Sequence, residues 1–219
     1  MPAFIIVVAS QKGGSGKTSC TLNLGVIAAQ EGKTLLLDCD PQGSLMYWHQ
    51  RRETPQPEAL SVNLPELDQI IRMARTQAYE YIFVDTPPHN NAEVSFAMRL
   101  ADIIIVPVRP TTLDLHAAEA TLTLAAAMAK RTLVILTQCN APRLLMEAPS
   151  VREARAVFAG LGCRVAEQTI IHRGTVEQSV ASGMAVVEFE PRGRSDHEFS
   201  LVWKQVKREL DIRKKPSRL

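Results

Sequence analysis

Cysteine is scarce and scattered in this sequence. Cys20, Cys39, Cys139 and Cys163, in 219 residues, form neither a disulfide framework nor a metal-ligand spacing. No secretory leader is recognisable, and the apolar start Phe4-Ile5-Ile6-Val7-Val8-Ala9 has the length of one strand, not of a membrane span. A reducing, cytoplasmic compartment is the expectation. An excess of one charge is missing too: 25 Lys and Arg stand against 23 Asp and Glu, a net charge of +2. That balance does not by itself argue for nucleic acid, so any such role must rest on where the basic residues sit. No repeat, low-complexity tract or long linker interrupts the chain, and its length suits one buried α/β core. We expect one domain over 1–219, with 212–219 a flexible basic tail.

What is present is a series of short apolar runs that end in polar residues. Lys33-Thr34-Leu35-Leu36-Leu37-Asp38, Tyr81-Ile82-Phe83-Val84-Asp85, Ile103-Ile104-Ile105-Val106 and Thr132-Leu133-Val134-Ile135-Leu136-Thr137 follow the first run. Helical stretches fall between them: roughly Lys17 to Gln30, a short one near Pro65 with Leu67, Ile70 and Ile71 inward, and about Leu113 to Met128. Continuous apolar strands joined by helices predict an α/β fold: a doubly wound, mainly parallel sheet with helices on both faces.

The first strand runs into Gln11-Lys12-Gly13-Gly14-Ser15-Gly16-Lys17-Thr18. Gly13, Gly14 and Gly16 let the chain curl so that backbone N–H groups converge on a polyphosphate, with the following helix presenting its positive end. Lys17 supplies a point charge to the outer phosphates, and the Thr18 hydroxyl suits magnesium. The general phosphate-loop pattern wants glycine at position 11, where this chain has Gln11. Two further strands end in carboxylates: Asp38-Cys39-Asp40-Pro41, where Pro41 keeps a helix from starting through Asp40, and Asp85. Ligands of open α/β sheets bind at those carboxyl ends.

Lys-Gly-Gly-x-Gly-Lys-Thr is the deviant Walker A form of this loop, and with it the chain resembles the ParA/MinD-type P-loop ATPases. The resemblance implies ATP and Mg2+ as ligands and a homodimer with ATP sandwiched at its interface. Lys12 would reach the phosphates held by the other subunit. Lys12, Gly13, Gly14, Ser15, Gly16, Lys17, Thr18 and Ser19 would hold ATP; Lys12, Lys17 and Asp40 would be catalytic, Asp40 orienting the attacking water. Thr18, Asp38 and Asp85 would serve the metal. Asp85-Thr86-Pro87-Pro88-His89-Asn90-Asn91 resembles the switch segment, in which His89 as a general base is disfavoured. Val106-Pro107-Val108-Arg109-Pro110-Thr111-Thr112-Leu113-Asp114-Leu115 resembles the small, ParF-like partition group, with Arg109 and Asp114 as candidate cross-subunit contacts. Asn140, Phe189 and Pro191 lie where base-facing segments are expected.

By the same resemblance the ATP-joined dimer binds non-specific DNA and positions a cargo, most simply plasmid or chromosomal DNA. It would be a slow ATP hydrolase, nucleoid-associated, and stimulated by a separate site-specific DNA-binding adaptor of ParB or ParG type, since no helix-turn-helix segment precedes the first strand. Candidate DNA contacts are Arg173, Arg192, Arg194, Lys204, Lys207 and Arg208. Arg213, Lys214 and Lys215 add positive charge, and acidic residues from Glu177 to Asp211 are interspersed. A MinD-type membrane-surface ATPase is the rival. Phe199, Val202, Trp203, Val206 and Leu210 recur at helical spacing, as an interfacial helix would show. The same stripe describes a final helix docked on the sheet, the arrangement we expect, with no stable membrane association. A redox relative such as the nitrogenase iron protein needs a cysteine after Asp85, and none follows it there.

Overall fold

A computed structural model of the protein describes residues 3–88, 92–142, 144 and 146–212. Its strands are β1 (Phe4–Val8), β2 (Thr34–Asp38), β3 (Glu58–Ser61), β4 (Tyr81–Asp85), β5 (Ile103–Val108) and β6 (Thr132–Leu136). They form one sheet in the order β3-β2-β4-β1-β5-β6, and every neighbouring pair is parallel. The helices are α1 (Lys17–Ala29), α2 (Ser44–His49), α3 (Leu67–Thr76), α4 (Ala92–Leu100), α5 (Thr112–Ala127), α6 (Pro149–Gly160), α7 (Gly174–Ala181), α8 (Val186–Phe189) and α9 (Arg194–Ile212), with a 3-10 turn at Leu64–Glu66.

The uninterrupted apolar runs are explained by burial on both sides. In β1, Ile5 and Val7 join one core layer and Ile6 and Val8 the other; in β4, Ile82 and Val84 oppose Phe83 in the same way. The first layer is closed by Leu67 and Ile71 of α3, Val94 and Met98 of α4, Leu122 of α5 and Phe158 of α6. The second is closed by α1 and α9. α1 approaches β2 so closely that a Cβ on Gly25 would stand 2.5 Å from a Leu36 methyl.

Phe199, Val202, Trp203, Val206 and Leu210 of α9 are each 3% exposed or less and belong to that second layer. Trp203 meets Tyr81 edge-on at 5.1 Å between ring centroids and Phe83 at 5.9 Å. The stripe at the end of the chain is therefore core, as expected. No described helix is long and apolar enough to cross a membrane.

The elements not anticipated are β3, α4, α6, α7, α8, and α2 with its loop entry at Gly43, where φ is +65°. His89, Asn90, Asn91, Arg213, Lys214 and Lys215 lie outside the described residues, as does the expected tail except for Ile212, which ends α9.

The sheet's registers align the functional segments. Asp85 pairs with Val8 on one side and with Asp38 on the other, so β1, β4 and β2 end at one level. The loops that leave those strands open side by side.

Candidate functional site: a phosphate loop between three strand ends

The loop after β1 turns through two left-handed glycines, Gly14 at φ +70° and Gly16 at φ +95°, a conformation that strains any other residue type. A Cβ built on Gly13 or Gly14 meets no atom within 4 Å, so glycine there keeps space free for a ligand. Gly16 caps α1 with no side-chain bond, leaving the N–H groups of the first turn to a ligand. Ser15 Oγ is buried and finds no partner among the described residues. Gly13, Gly14 and Gly16 face a cavity of about 650 Å³ lined also by Lys17, Thr18, Ser19, Asp40, Tyr47, Pro88, Gln138 and Val180.

Beneath the loop, the Thr18 hydroxyl donates to Asp85 at 2.7 Å and that of Thr21 to the other Asp85 oxygen at 3.4 Å. Burial pushes the Asp85 carboxyl up to about 7; Asp38 and Asp40 add to the rise, while Thr18 and Lys17 oppose it. The Lys17 ammonium, turned back onto the Lys12 carbonyl at 3.3 Å, is pulled below the ordinary lysine range by burial, against Asp85 and Asp40. An anionic ligand would favour the charged form of Lys17, because it sets a negative charge beside the ammonium; Asp85 would be relieved only by a cation.

Asp38, expected to serve the metal, is bonded to the loop that follows it. Its two oxygens accept the N–H of Asp40 at 3.1 Å and of Met46 at 2.9 Å, so it shapes the loop and fixes the start of α2. Burial is the main cause raising its carboxyl. Asp40, held by Asp38, stays half-exposed on the cavity wall. Among the described residues no cluster of three acidic, His or Cys side chains could enclose a metal. Thr18, with Asp85 behind it, is the pair beside the cavity that could hold magnesium together with ligand phosphates.

The loop is braced from β6. Thr137 Oγ donates to the Ser15 carbonyl at 2.7 Å, and the Gln138 amide donates to the Gly14 carbonyl at 2.8 Å. A smaller cavity of about 150 Å³ opens beside Gly16 and Ser19, lined by Cys20, Thr137, Gln138, His172, Arg173 and Val176. Asn140 is not there; it faces a separate recess with Pro142, Glu147 and Arg152. Phe189 and Pro191 line neither cavity beside the loop.

The sequence profile of the CobQ/CobB/MinD/ParA nucleotide binding domain matches residues 6–184. The chain belongs to this family. The "Maintenance of carboxysome distribution protein A" of Gloeobacter kilaueensis is 30% identical over 94% of this chain and 94% of that protein. The "Chromosome partitioning protein ParA" of Caulobacter vibrioides is also 30% identical, over 49% of this chain and 57% of that one. In fold, the chain matches an ATP complex of a Cyanothece McdA variant with a TM-score of 0.77 at 17% identity, covering 94% of this chain and 97% of the other. Six parallel strands wrapped by helices are the P-loop fold of ParA and MinD.

In this ParA/MinD-family chain the basic candidates divide into two sets. Arg173 spans both Glu198 oxygens at 2.7 and 2.8 Å, Lys207 holds Glu31 at 2.6 Å and Arg208 meets Glu167 at 3.1 Å. Arg192, Arg194 and Lys204 are exposed. Arg109 and Asp114 are bound to each other within the subunit, at 3.0 Å. Burial pushes the thiols of Cys20, Cys39 and Cys139 up to about 12, so they are packing groups and not nucleophiles.

Proposed function

We propose that this chain is an ATP hydrolase that dimerises around ATP and magnesium and, as a dimer, binds DNA without sequence preference to position a cargo. The observation that carries the reading is the loop: Lys17 and Thr18 face the cavity above Asp85, and Lys12 precedes its first lining residue, Gly13. Lys17 and the N–H groups of the first turn of α1 hold the phosphates, and Ser15 gains the partner it lacks. Bound at Thr18, magnesium would neutralise charge on the outer phosphates. Asp40 aligns water for attack, and Lys12 serves the opposite subunit.

The base has room in the smaller cavity, walled by Gln138 and Arg173 in place of Asn140. Arg173→Ala should therefore raise the ATP concentration for half-maximal turnover by about tenfold while leaving DNA affinity within about twofold. Steady-state kinetics beside fluorescence anisotropy on a random duplex check this, and the reverse pattern returns Arg173 to the DNA face.

The cargo expected from the sequence was plasmid or chromosomal DNA. The Gloeobacter relative, matched along nearly its whole length, is named for carboxysome distribution, so the cargo class here includes protein assemblies. A stimulating adaptor that links cargo to the dimer belongs to the same proposal. The membrane-surface alternative has lost its helix, because the stripe of α9 is core.

Sedimentation with a non-hydrolysable ATP analogue tests the dimer, and duplex binding with ATP or ADP tests its consequence. Wild type should pair and bind DNA with ATP only. Lys12→Ala should keep nucleotide binding but stay monomeric. A wild type that stays monomeric at saturating analogue ends the proposal.

A further inference from the structure

Lys12 is already engaged in the single subunit. Its Nζ stands 4.0 Å from Asp114 Oδ1, on the first turn of α5. The Asp114 side chain is only 4% exposed, whereas that of Lys12 is 35% exposed. The carboxylate does not depend on Lys12 for its bonding. Arg109 donates to the same oxygen through Nε at 3.3 Å and Nη2 at 3.0 Å, and the Thr111 hydroxyl donates to the other oxygen. Thr111 in turn caps α5 by accepting the Asp114 N–H at 3.3 Å.

Breaking a buried ion pair is costly when it leaves a bare charge, and here it leaves none. Three donor groups on two residues, Arg109 and Thr111, keep the carboxylate satisfied after Lys12 departs. A negative group with one permanent cation and a second, half-exposed one is a rest for the second: strong enough to hold it, weak enough to release it to a more negative site. A triphosphate presented by another subunit is such a site.

We propose that Asp114 is a positioning residue that parks Lys12 on its own subunit, so that ATP-dependent pairing requires the lysine to exchange Asp114 for the opposing phosphates. Arg109 sets the strength of the hold by sharing the carboxylate. The inference rests on the ATP-joined dimer proposed above, and it has a consequence of opposite sign at two neighbouring residues. Asp114→Asn removes the charge but keeps the shape and the Thr111 cap, so Lys12 is released and pairing becomes easier. Arg109→Gln leaves Lys12 as the only cation beside Asp114 among the described residues, so the hold tightens and pairing becomes harder. A simple loss of structure would move both variants the same way.

The test has two arms. In the first, nucleotide-free protein at low concentration is treated with a limiting amine-acylating reagent, and modification at Lys12 is quantified by peptide mass spectrometry against the other lysines. Asp114→Asn should raise the relative rate at Lys12 about threefold or more, and Arg109→Gln should lower it. In the second, sedimentation with the non-hydrolysable analogue should show Asp114→Asn pairing at about threefold to tenfold lower protein concentration than wild type, and Arg109→Gln at higher. Thermal melts confirm that both variants are folded. An unchanged Lys12 rate in Asp114→Asn overturns the proposal, as does weaker pairing of a folded Asp114→Asn. If wild type never pairs, the dimer reading fails, and the acylation arm still decides whether Asp114 holds Lys12.

Discussion

Asp40→Ala should yield dimers that bind ATP and do not release it, with turnover reduced by about 100-fold or more, the scale at which positioning of a reacting water acts. The expectation depends on the loop surviving the substitution, and its bonds predict that it does. The Asp40 N–H is held by Asp38 and its carbonyl by the Gly43 N–H at 2.8 Å, both main-chain contacts that alanine keeps. Among the described residues the only bond lost is that from the Gln42 N–H to the Asp40 carboxylate, at 3.0 Å on an exposed turn. Removing one negative charge from a wall of the phosphate cavity favours a polyanion, so ATP should bind as well or better. The loss therefore falls on the chemical step. Single-turnover phosphate release, followed beside sedimentation of the ATP-loaded protein, reads both effects. Wild-type hydrolysis by Asp40→Ala would remove its assigned role, and a monomer that hydrolyses slowly would move that role to pairing.

The parts of the site that were legible in the sequence are those defined by contiguous residues. Gly13 to Ser19 declare a phosphate loop because curling and close approach demand glycines at fixed places. The carboxylates at 38, 40 and 85 follow from where apolar runs stop, and the parallel register then brings those ends to one level. What stayed hidden depends on distant partners or on small backbone turns. Gln138 takes a left-handed conformation at φ +50°, so the chain turns before Asn140, and the amide that reaches the loop comes from two residues earlier. Asp38 and Asp40 were told apart only by the resemblance, and the bonds of Asp38 to the Asp40 and Met46 N–H groups were not legible, since they depend on which backbone groups the fold brings near. Arg173, Lys207 and Arg208 looked available for phosphates until Glu198, Glu31 and Glu167 were found beside them. β3 went unnoticed because of its residues only Ala59 is buried, too little for any period, and Glu58 spends its side chain on the Tyr79 hydroxyl.

The strongest structural expectation concerns Trp203. If α9 is part of the core, Trp203→Ala should destabilise the protein by about 3–5 kcal/mol, the usual cost of deleting a buried aromatic ring. The side chain is 1% exposed, packs edge-on against Tyr81 from the sheet, and directs its Nε1 to Glu31 at 3.3 Å, at the end of α1. Its loss leaves a hole between sheet, α1 and α9 that none of these elements can close without moving the others. Chemical denaturation followed by circular dichroism should show the midpoint falling with the slope unchanged. A helix that lay on a lipid surface would give the reverse: stability within about 0.5 kcal/mol of wild type, and vesicle binding sharply reduced. The same substitution thus separates the two places that α9 could occupy. It does so through stability, a quantity independent of nucleotide, DNA and cargo, so a failure here would count against the fold of the C-terminal helix and not against the chemistry of the loop.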